Sequence, residues 1–323
     1  MGNNTLTMLA IGSATQDVFL VGGKIFKPKT DHGESFEHLP LGAKLELEKV
    51  VFATGGNAMN AATTFARQGL KSQFMGIVGT EIAGDAVVKV FDDEGIDTRY
   101  LNQNEQYATN YSSILLAPSG ERTILTYHGS KLRADGSDID LTAIAKADWL
   151  YVSSVASMTL LEKIFTLAGK NGVKVAFNPS QRELDEADKL RPLLDDVTVL
   201  IANKEEMAQI VEGKSMEELA HHATHLVETV VISDGPRGVV ATDSKKMVKA
   251  GMYQDVKVVD RLGAGDAFGS GFVAMLAQGK TLEEAVVFAS ANSTSVVRQI
   301  GAKAGILQKG TSLHDMPLTV SDF

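Results

Sequence analysis

The sequence predicts an α/β fold, a mainly parallel central sheet covered by helices, with a small second sheet beside it. Apolar runs of strand length alternate with longer amphipathic stretches, the pattern of repeated strand–helix units. Two segments break that rhythm with a period of two, as half-buried strands inserted into such a core would. The length, 323 residues, suits about two domains or one large α/β unit, and no Pro/Ser-rich linker divides it.

Taken in order, Leu6 to Ile11 reads as a first buried strand ending at Gly12. Asn57 to Gln68 has helical spacing and is stopped by Gly69, and a strand follows from Gln73 to Val78. Ala86 to Glu94 is again helical and closed by Gly95. Trp149 to Val152 reads as strand, Leu160 to Gly169 as helix and Val173 to Phe177 as strand. Val197 to Ile201, Val230 to Ile232 and Val256 to Val259 are further expected strands, and Ala264 to Ala277 and Leu282 to Arg298 the final long helices. Between Asp17 and Val51 no helical pattern is present, but Lys44-Leu45-Glu46-Leu47-Glu48 alternates. Tyr107 to Leu115 alternates as well, and Pro118-Ser119-Gly120 marks a hairpin turn before Thr123 to Tyr127. These insertions predict the small sheet, in the position of a lid.

Composition excludes several classes. The chain is 44% hydrophobic and 22% charged, which argues against general disorder. Lys plus Arg number 31 against 40 Asp plus Glu, a net charge of −9 with no long basic run, so nucleic acid is not an expected partner. Without cysteine there is no disulfide, thiolate nucleophile or Cys-ligated zinc. No apolar run approaches the ~18 residues of a membrane span. Met1 to Thr7 is polar rather than a basic and then apolar leader. A cytoplasmic protein with no membrane partner is expected.

The strongest chemical signal is Asp260-Arg261-Leu262-Gly263-Ala264-Gly265-Asp266-Ala267-Phe268, placed after the expected strand Val256 to Val259 and opening a helix. Glycines let the backbone approach a ligand closely, and a helix start offers unpaired N–H groups and positive dipole potential. Such a turn suits a phosphate, with Asp266 near enough to accept a proton from an attacking hydroxyl. The plainer reading is a strand-to-helix turn with Asp266 as a capping acid. A second constellation, Gly55-Gly56-Asn57-Ala58-Met59-Asn60, opens the first long helix. Asn57 and Asn60, three apart, share a face and offer donors and acceptors for a polyhydroxylated ligand. An Asn N-cap beside a tight turn would look the same. Two familiar phosphate loops are excluded. Gly279-Lys280-Thr281 lacks the first P-loop glycine, which is Ala274 here, and the first strand is followed only by Gly12 rather than a dinucleotide fingerprint.

Together, in this order and about 200 residues apart, the two segments resemble the signatures of the ribokinase (PfkB) family of sugar and nucleoside kinases. The resemblance runs from about Leu6 to Gly305. Asp17 follows the first strand, Asn178-Pro179 follows the strand at Val173 to Phe177, Asn203-Lys204-Glu205-Glu206 looks like the Asn-x-x-Glu motif, and Ser233-Asp234-Gly235-Pro236-Arg237-Gly238 is similar to the nucleotide turn. The family implies a ribokinase-like three-layer sandwich with a small β-sheet lid, here one kinase domain over 1–323 with lid strands from about 17–52 and 103–127. It implies Asp266 as base and the backbone of Gly263, Ala264 and Gly265 as an anion hole. Asp17, Gly55, Gly56, Asn57 and Asn60 would hold the acceptor. Asn203 and Glu206 would order Mg²⁺, and Ser233, Gly235 and Gly238 would line the ATP site. Asp260 and the Leu262 carbonyl would help form a K⁺ loop, and a homodimer through the lid is expected.

The departures from the family pattern concern specificity. Arg261 stands where a small hydroxyl residue is usual, Asn57 where ribokinases place lysine, and Ser153-Ser154-Val155 where they place a ribose-binding glutamate. An ATP-dependent sugar kinase is the expected function, with a nucleoside kinase as the alternative, its base held by Tyr107, Tyr111 or Phe26. A nucleotide-binding dehydrogenase and a non-catalytic sugar-binding module are readings from other classes. The missing first-strand glycine fingerprint argues against the first, which an absence of NAD(P) binding would settle, and the retained Asp266 and glycine turn argue against the second, which a phosphorylated product would exclude. His221, His222 and His225 read as a solvated helix face, Arg122 as an exposed hairpin residue, and Trp149 as core.

Overall fold

The computed structural model describes residues 5–32, 34–253 and 256–323. The first half of the chain carries β1 (Thr7–Gly12), β2 (Thr15–Val21), β3 (Lys29–Asp31), β4 (Glu34–Phe36), β5 (Lys49–Gly55), α1 (Asn57–Arg67), β6 (Lys71–Val78), α2 (Ile82–Asp93), β7 (Asp97–Gln103), β8 (Asn110–Leu116) and β9 (Arg122–Tyr127). The second half adds β10 (Trp149–Ser153), α3 (Met158–Asn171), β11 (Lys174–Asn178), α4 (Gln181–Leu184), α5 (Ala187–Leu190), β12 (Val199–Asn203), α6 (Lys204–Ile210), α7 (Met216–Ala223) and β13 (Thr229–Ser233). It ends with β14 (Val239–Thr242), β15 (Lys246–Ala250), α8 (Ala264–Ala277), α9 (Leu282–Val296) and β16 (Leu318–Asp322).

Ten strands form one sheet in the order β16-β15-β14-β13-β12-β11-β10-β1-β6-β7. From β13 to β7 every neighbouring pair is parallel, and β14, β15 and β16 extend one edge antiparallel. β1 is buried throughout because both of its faces are covered. Leu9 and Ile11 face the layer of α3, α6 and α7, with Leu161, Ile164, Met207 and Leu219 packed in the same core. Met8, one residue out of phase, faces α1, α8 and α9 with Phe65, Phe268, Phe272 and Val286. Alternation along strands buried on both sides thus yields the three layers. Helices α1 and α8 belong to the same layer.

A separate four-stranded sheet runs β5-β2-β8-β9. Asp17 of β2 stands beside Ser112 of β8, which stands beside Thr126 of β9, so one row crosses the inner face. The outer face leaves Phe52, Leu125 and Tyr127 exposed at 75%, 57% and 59%.

Two expected strands are absent. Lys44 to Glu48 alternates but forms no strand: only the Glu48 N–H reaches β2, at the Val21 carbonyl 3.0 Å away, and the ladder begins at Lys49. Val256 to Val259 is not a strand either. The N–H groups of Val259 and Asp260 both turn to the Val297 carbonyl past α9, at 2.8 and 3.3 Å, rather than to a strand edge. A run of valines supplies β propensity, but a strand exists only where a neighbouring edge is free. The polar β7 and the C-terminal β16 were invisible in the pattern because both are edge strands with no fully buried face. Trp149 is core, the helix carrying His221 and His222 exposes them, and His225 is exposed beyond it.

Candidate active site

The two glycine-rich segments meet because α1 and α8 pack side by side. The Asn60 amide donates to the Asp266 carboxylate at 2.7 Å, and one turn further along the Ser270 hydroxyl donates to that of Thr64 at 2.8 Å. Each helix contributes an i,i+4 pair, so a polar ladder ties residues 206 apart in sequence. Gly269 lets this layer approach the sheet, since a Cβ there would sit 3.0 Å from Ile201.

The turn before α8 is held from behind. Asp260 is fully buried, and its two carboxylate oxygens accept the N–H groups of Leu262 and Gly301, each at 3.0 Å. The Arg122 guanidinium approaches to 4.0 Å. Arg122 is therefore not the exposed hairpin residue expected: β9 carries it against the turn, with its Nε buried and unpartnered. Gly263 caps α8 in the left-handed region at φ 75°, and a Cβ there would collide with Ala302 at 2.4 Å. In the first helical turn the Gly265 and Asp266 N–H groups meet no carbonyl among the described residues, while that of Ala264 reaches the Arg261 carbonyl at 3.4 Å, so the turn offers an anion-accepting surface.

Two cavities meet at this helix start. One, of about 420 Å³, is lined by Asp17, Gly56, Asn57, Asn60, Leu262, Gly263 and Asp266 among others. The second, of about 130 Å³, is lined by Ser233, Gly235, Gly238, Ala264, Gly265 and Phe268 among others. The expected acceptor residues and nucleotide residues thus separate onto opposite sides of one turn. Gly55 lines neither cavity but backs Asp17, whose Oδ2 a Cβ at Gly55 would meet at 2.2 Å. Asp260 lies behind the turn. Asn203 and Glu206 form the capping box of α6: the Asn203 side chain accepts the Glu206 N–H at 2.9 Å and the Glu206 carboxylate accepts the Asn203 N–H at 2.8 Å.

Electrostatics mark the larger cavity. Burial pushes the Asp266 carboxyl up to about 6, against the Asn60 hydrogen bond and with help from the charge on Glu206. Burial likewise pushes Asp17 up to about 6, opposed by the Ser112 hydroxyl and the charge of Lys303 and raised further by Asp260 and Asp266. Asn60 Oδ1 is buried without a hydrogen-bond partner. A half-buried carboxylate near pKa 6 beside unpaired helix N–H groups is equipped to deprotonate a hydroxyl and hold an anion.

Lys303 was not legible as a site residue. It is buried, its Nζ donates to the Thr54 hydroxyl, and burial pushes its amine down to about 7 despite the charges on Asp17 and Glu94. Lysine reads as surface in a sequence, and only the fold reveals this one below β5 and Asp17. Tyr107 and Tyr111 line a different cavity with Tyr127, the Tyr107 hydroxyl donating to Asp138 at 2.8 Å, and Phe26 is buried against Gly22. Among the described residues no Phe, Tyr or Trp lines the larger cavity.

Residues 14–309 match the family described as pfkB family carbohydrate kinase. The ribokinase of Haemophilus influenzae is 30% identical over 283 residues, covering 84% of this chain and 90% of the relative. The 5-dehydro-2-deoxygluconokinase of Bacillus subtilis is 28% identical over 262 residues, covering 75% and 80%. Arabidopsis thaliana ribokinase, solved with ribose and ATP, superposes with a TM-score of 0.75 at 20% identity over 94% of this chain and 96% of that one, a likeness of fold. With the cavities arranged about the α8 turn and the match spanning most of its length, the chain belongs to the pfkB family of carbohydrate kinases and is a phosphotransferase with an alcohol group as acceptor.

Proposed function

We propose that the chain transfers the γ-phosphoryl group of ATP to a hydroxyl of a sugar or sugar-like acceptor, with Asp266 as general base. The observation that carries this reading is the placement of Gly263 and Asp266 on one cavity and Ala264 and Gly265 on the other. A hydroxyl held by Asp17, Gly56, Asn57 and Asn60 gives its proton to the Asp266 carboxylate, and the Gly263–Gly265 backbone holds the charge on the transferring group. Phosphoryl transfer needs this positioning and neutralisation more than covalent chemistry. The small sheet acts as the lid, excluding water from the acceptor.

Magnesium fits the acids present. Among the described residues Glu206 has one carboxylate oxygen in the α6 cap and the other uncommitted, and burial pushes its carboxyl up. Its charge is felt at Asp266, so two acids converge where a cation would be favoured. Mg²⁺ held at Glu206 through water, with Asn203 fixing that carboxylate, would neutralise phosphate charge. Potassium fits less well. The Asp260 carboxylate already accepts two backbone N–H groups and faces Arg122, so turnover is expected to proceed without K⁺.

Among the described residues no Phe, Tyr or Trp lines this cavity, which favours a sugar over a nucleoside, whose base would need a broad stacking surface. ADP release with Mg·ATP against pentoses, hexoses, sugar acids, sugar phosphates and nucleosides, with and without K⁺, tests all of this. A sugar-class acceptor at equal rates in K⁺ and Na⁺ is the expected outcome; a nucleoside as best acceptor would displace the sugar reading, and strict K⁺ dependence would remove the role given to Arg122. We further propose a homodimer through Phe52, Leu125 and Tyr127 on the outer lid face. Light scattering should then give twice the 34.5 kDa chain mass, and Phe52→Glu should halve it.

A further inference from the structure

We infer that the acceptor is an anionic sugar, carrying a carboxylate or a phosphate, and that Arg182 with Lys131 and His128 holds that group. The inference rests on the larger cavity being the acceptor site.

The cavity is polarised. Asp17 and Asp266 are its two acids, and His128, Lys131 and Arg182 are its basic residues. Asp266 enters from the helix layer that contains Phe268 and Phe272, whereas Arg182 stands on α4, whose Leu184 is packed in the core on the other face of the sheet. Asp266 and Arg182 therefore reach the space from opposite layers, while Asp17 reaches it from β2 of the small sheet, and His128 and Lys131 from the segment after β9. Among the described residues no carboxylate pairs with Arg182, Lys131 or His128, in a chain whose net charge is −9. Arg182 is half-buried, and a guanidinium withdrawn from water without an acid is costly unless a ligand supplies the anion.

The wall that carries Arg182 is built. The adjacent acid, Glu183, is turned away into the interior, where it is buried. One of its oxygens accepts the Ala156 N–H at 2.7 Å, and the other accepts the Ser180 N–H at 2.9 Å and the Ser180 hydroxyl. This carboxylate ties α4 to the loop after β10, where Ser154 and Ala156 both stand at φ 58°, a strained region for residues with a side chain. Ser154, Ala156, Ser180 and Arg182 all line the cavity. The sequence spends a buried acid and two strained residues on fixing this wall, and the same acid is thereby kept from neutralising Arg182.

Charge sets the orientation. Asp17 and Asp266 repel an anionic group and accept hydroxyls, while the basic wall attracts the anion. An acceptor with a hydroxyl at one end and an anion at the other matches both poles, and a neutral sugar leaves the basic wall unsatisfied.

The test compares matched probes with the full-length enzyme and Mg·ATP: glucose, gluconate and 2-keto-3-deoxygluconate, and ribose, ribonate and ribose 1-phosphate. The expected result is kcat/KM at least ~10²-fold higher for an anionic member than for its neutral partner. The carboxylate and phosphate arms identify which anion is recognised. Arg182→Gln should collapse the anionic-to-neutral ratio by ~10–10²-fold, mainly through KM, with melting temperature retained, and Arg182→Lys should restore part of it. Turnover of neutral sugars at rates equal to or above all anionic partners would overturn this inference alone. So would an unchanged ratio in Arg182→Gln. Transfer to no sugar of either kind would overturn the sugar-kinase reading and this inference with it.

Discussion

Asp266→Asn should lower kcat by ~10²–10⁴ and leave ATP affinity near wild type, the span expected for removal of a positioned base. The substitution is nearly isosteric, so the Asn60 contact at 2.7 Å and the packing of α8 have little reason to change. What disappears is the proton acceptor. The pH dependence separates that role from a structural one. With its carboxyl near 6 in the folded protein, Asp266 accepts a proton only when ionised, so wild-type kcat should rise as pH rises through about 6 and then level. Asp17 is raised to the same range, and in its proposed role of binding the acceptor its ionisation should show in kcat/KM. Asp266→Asn should lose the limb in kcat, and single-turnover kinetics across pH 5–8 would show it. A variant that turns over at the wild-type rate would remove Asp266 from the mechanism.

Gly265→Val should leave the fold intact and lower kcat/KM for ATP by ~10²-fold, comparable to losing one donor of a preformed anion site. A Cβ at Gly265 meets nothing within 4 Å, and the residue has no positive φ, so the protein's own packing does not require glycine there. The free space is part of the smaller cavity, and the added branches would stand where a phosphate must approach the backbone. Helix propensity adds no cost, since valine ranks above glycine within a helix. Gly263→Val is the contrasting case. Its φ of 75° strains any side chain by ~1–3 kcal/mol, and the Cβ would stand 2.4 Å from Ala302, so melting temperature and activity should fall together. Thermal melts with nucleotide titration distinguish the two. Wild-type ATP kinetics in Gly265→Val would show that this backbone does not meet the nucleotide.

The layered α/β plan was legible along the chain, because strands buried on both faces leave continuous apolar runs such as Met8 to Ile11, and helices such as α8 carry their glycine turn within a few residues. Asp266, Gly263 and Asn60 were legible for the same reason: each belongs to a local pattern whose geometry is set by neighbours along the chain. Packing in three dimensions settled which cavity each residue lines, that Tyr107 and Tyr111 stay out of the one lined by Asp17 and Asp266, and that Val256 to Val259 pairs with no strand. It also decided the fate of the charges. Lys303, Arg122, Glu183 and Arg182 look alike in a sequence, as polar residues expected at the surface. Burial, a backbone partner or an absent counter-ion then distinguishes them, and those depend on segments that approach only when the sheets and helices pack. Local geometry is written in adjacent residues, whereas desolvation and charge pairing are properties of the assembled chain.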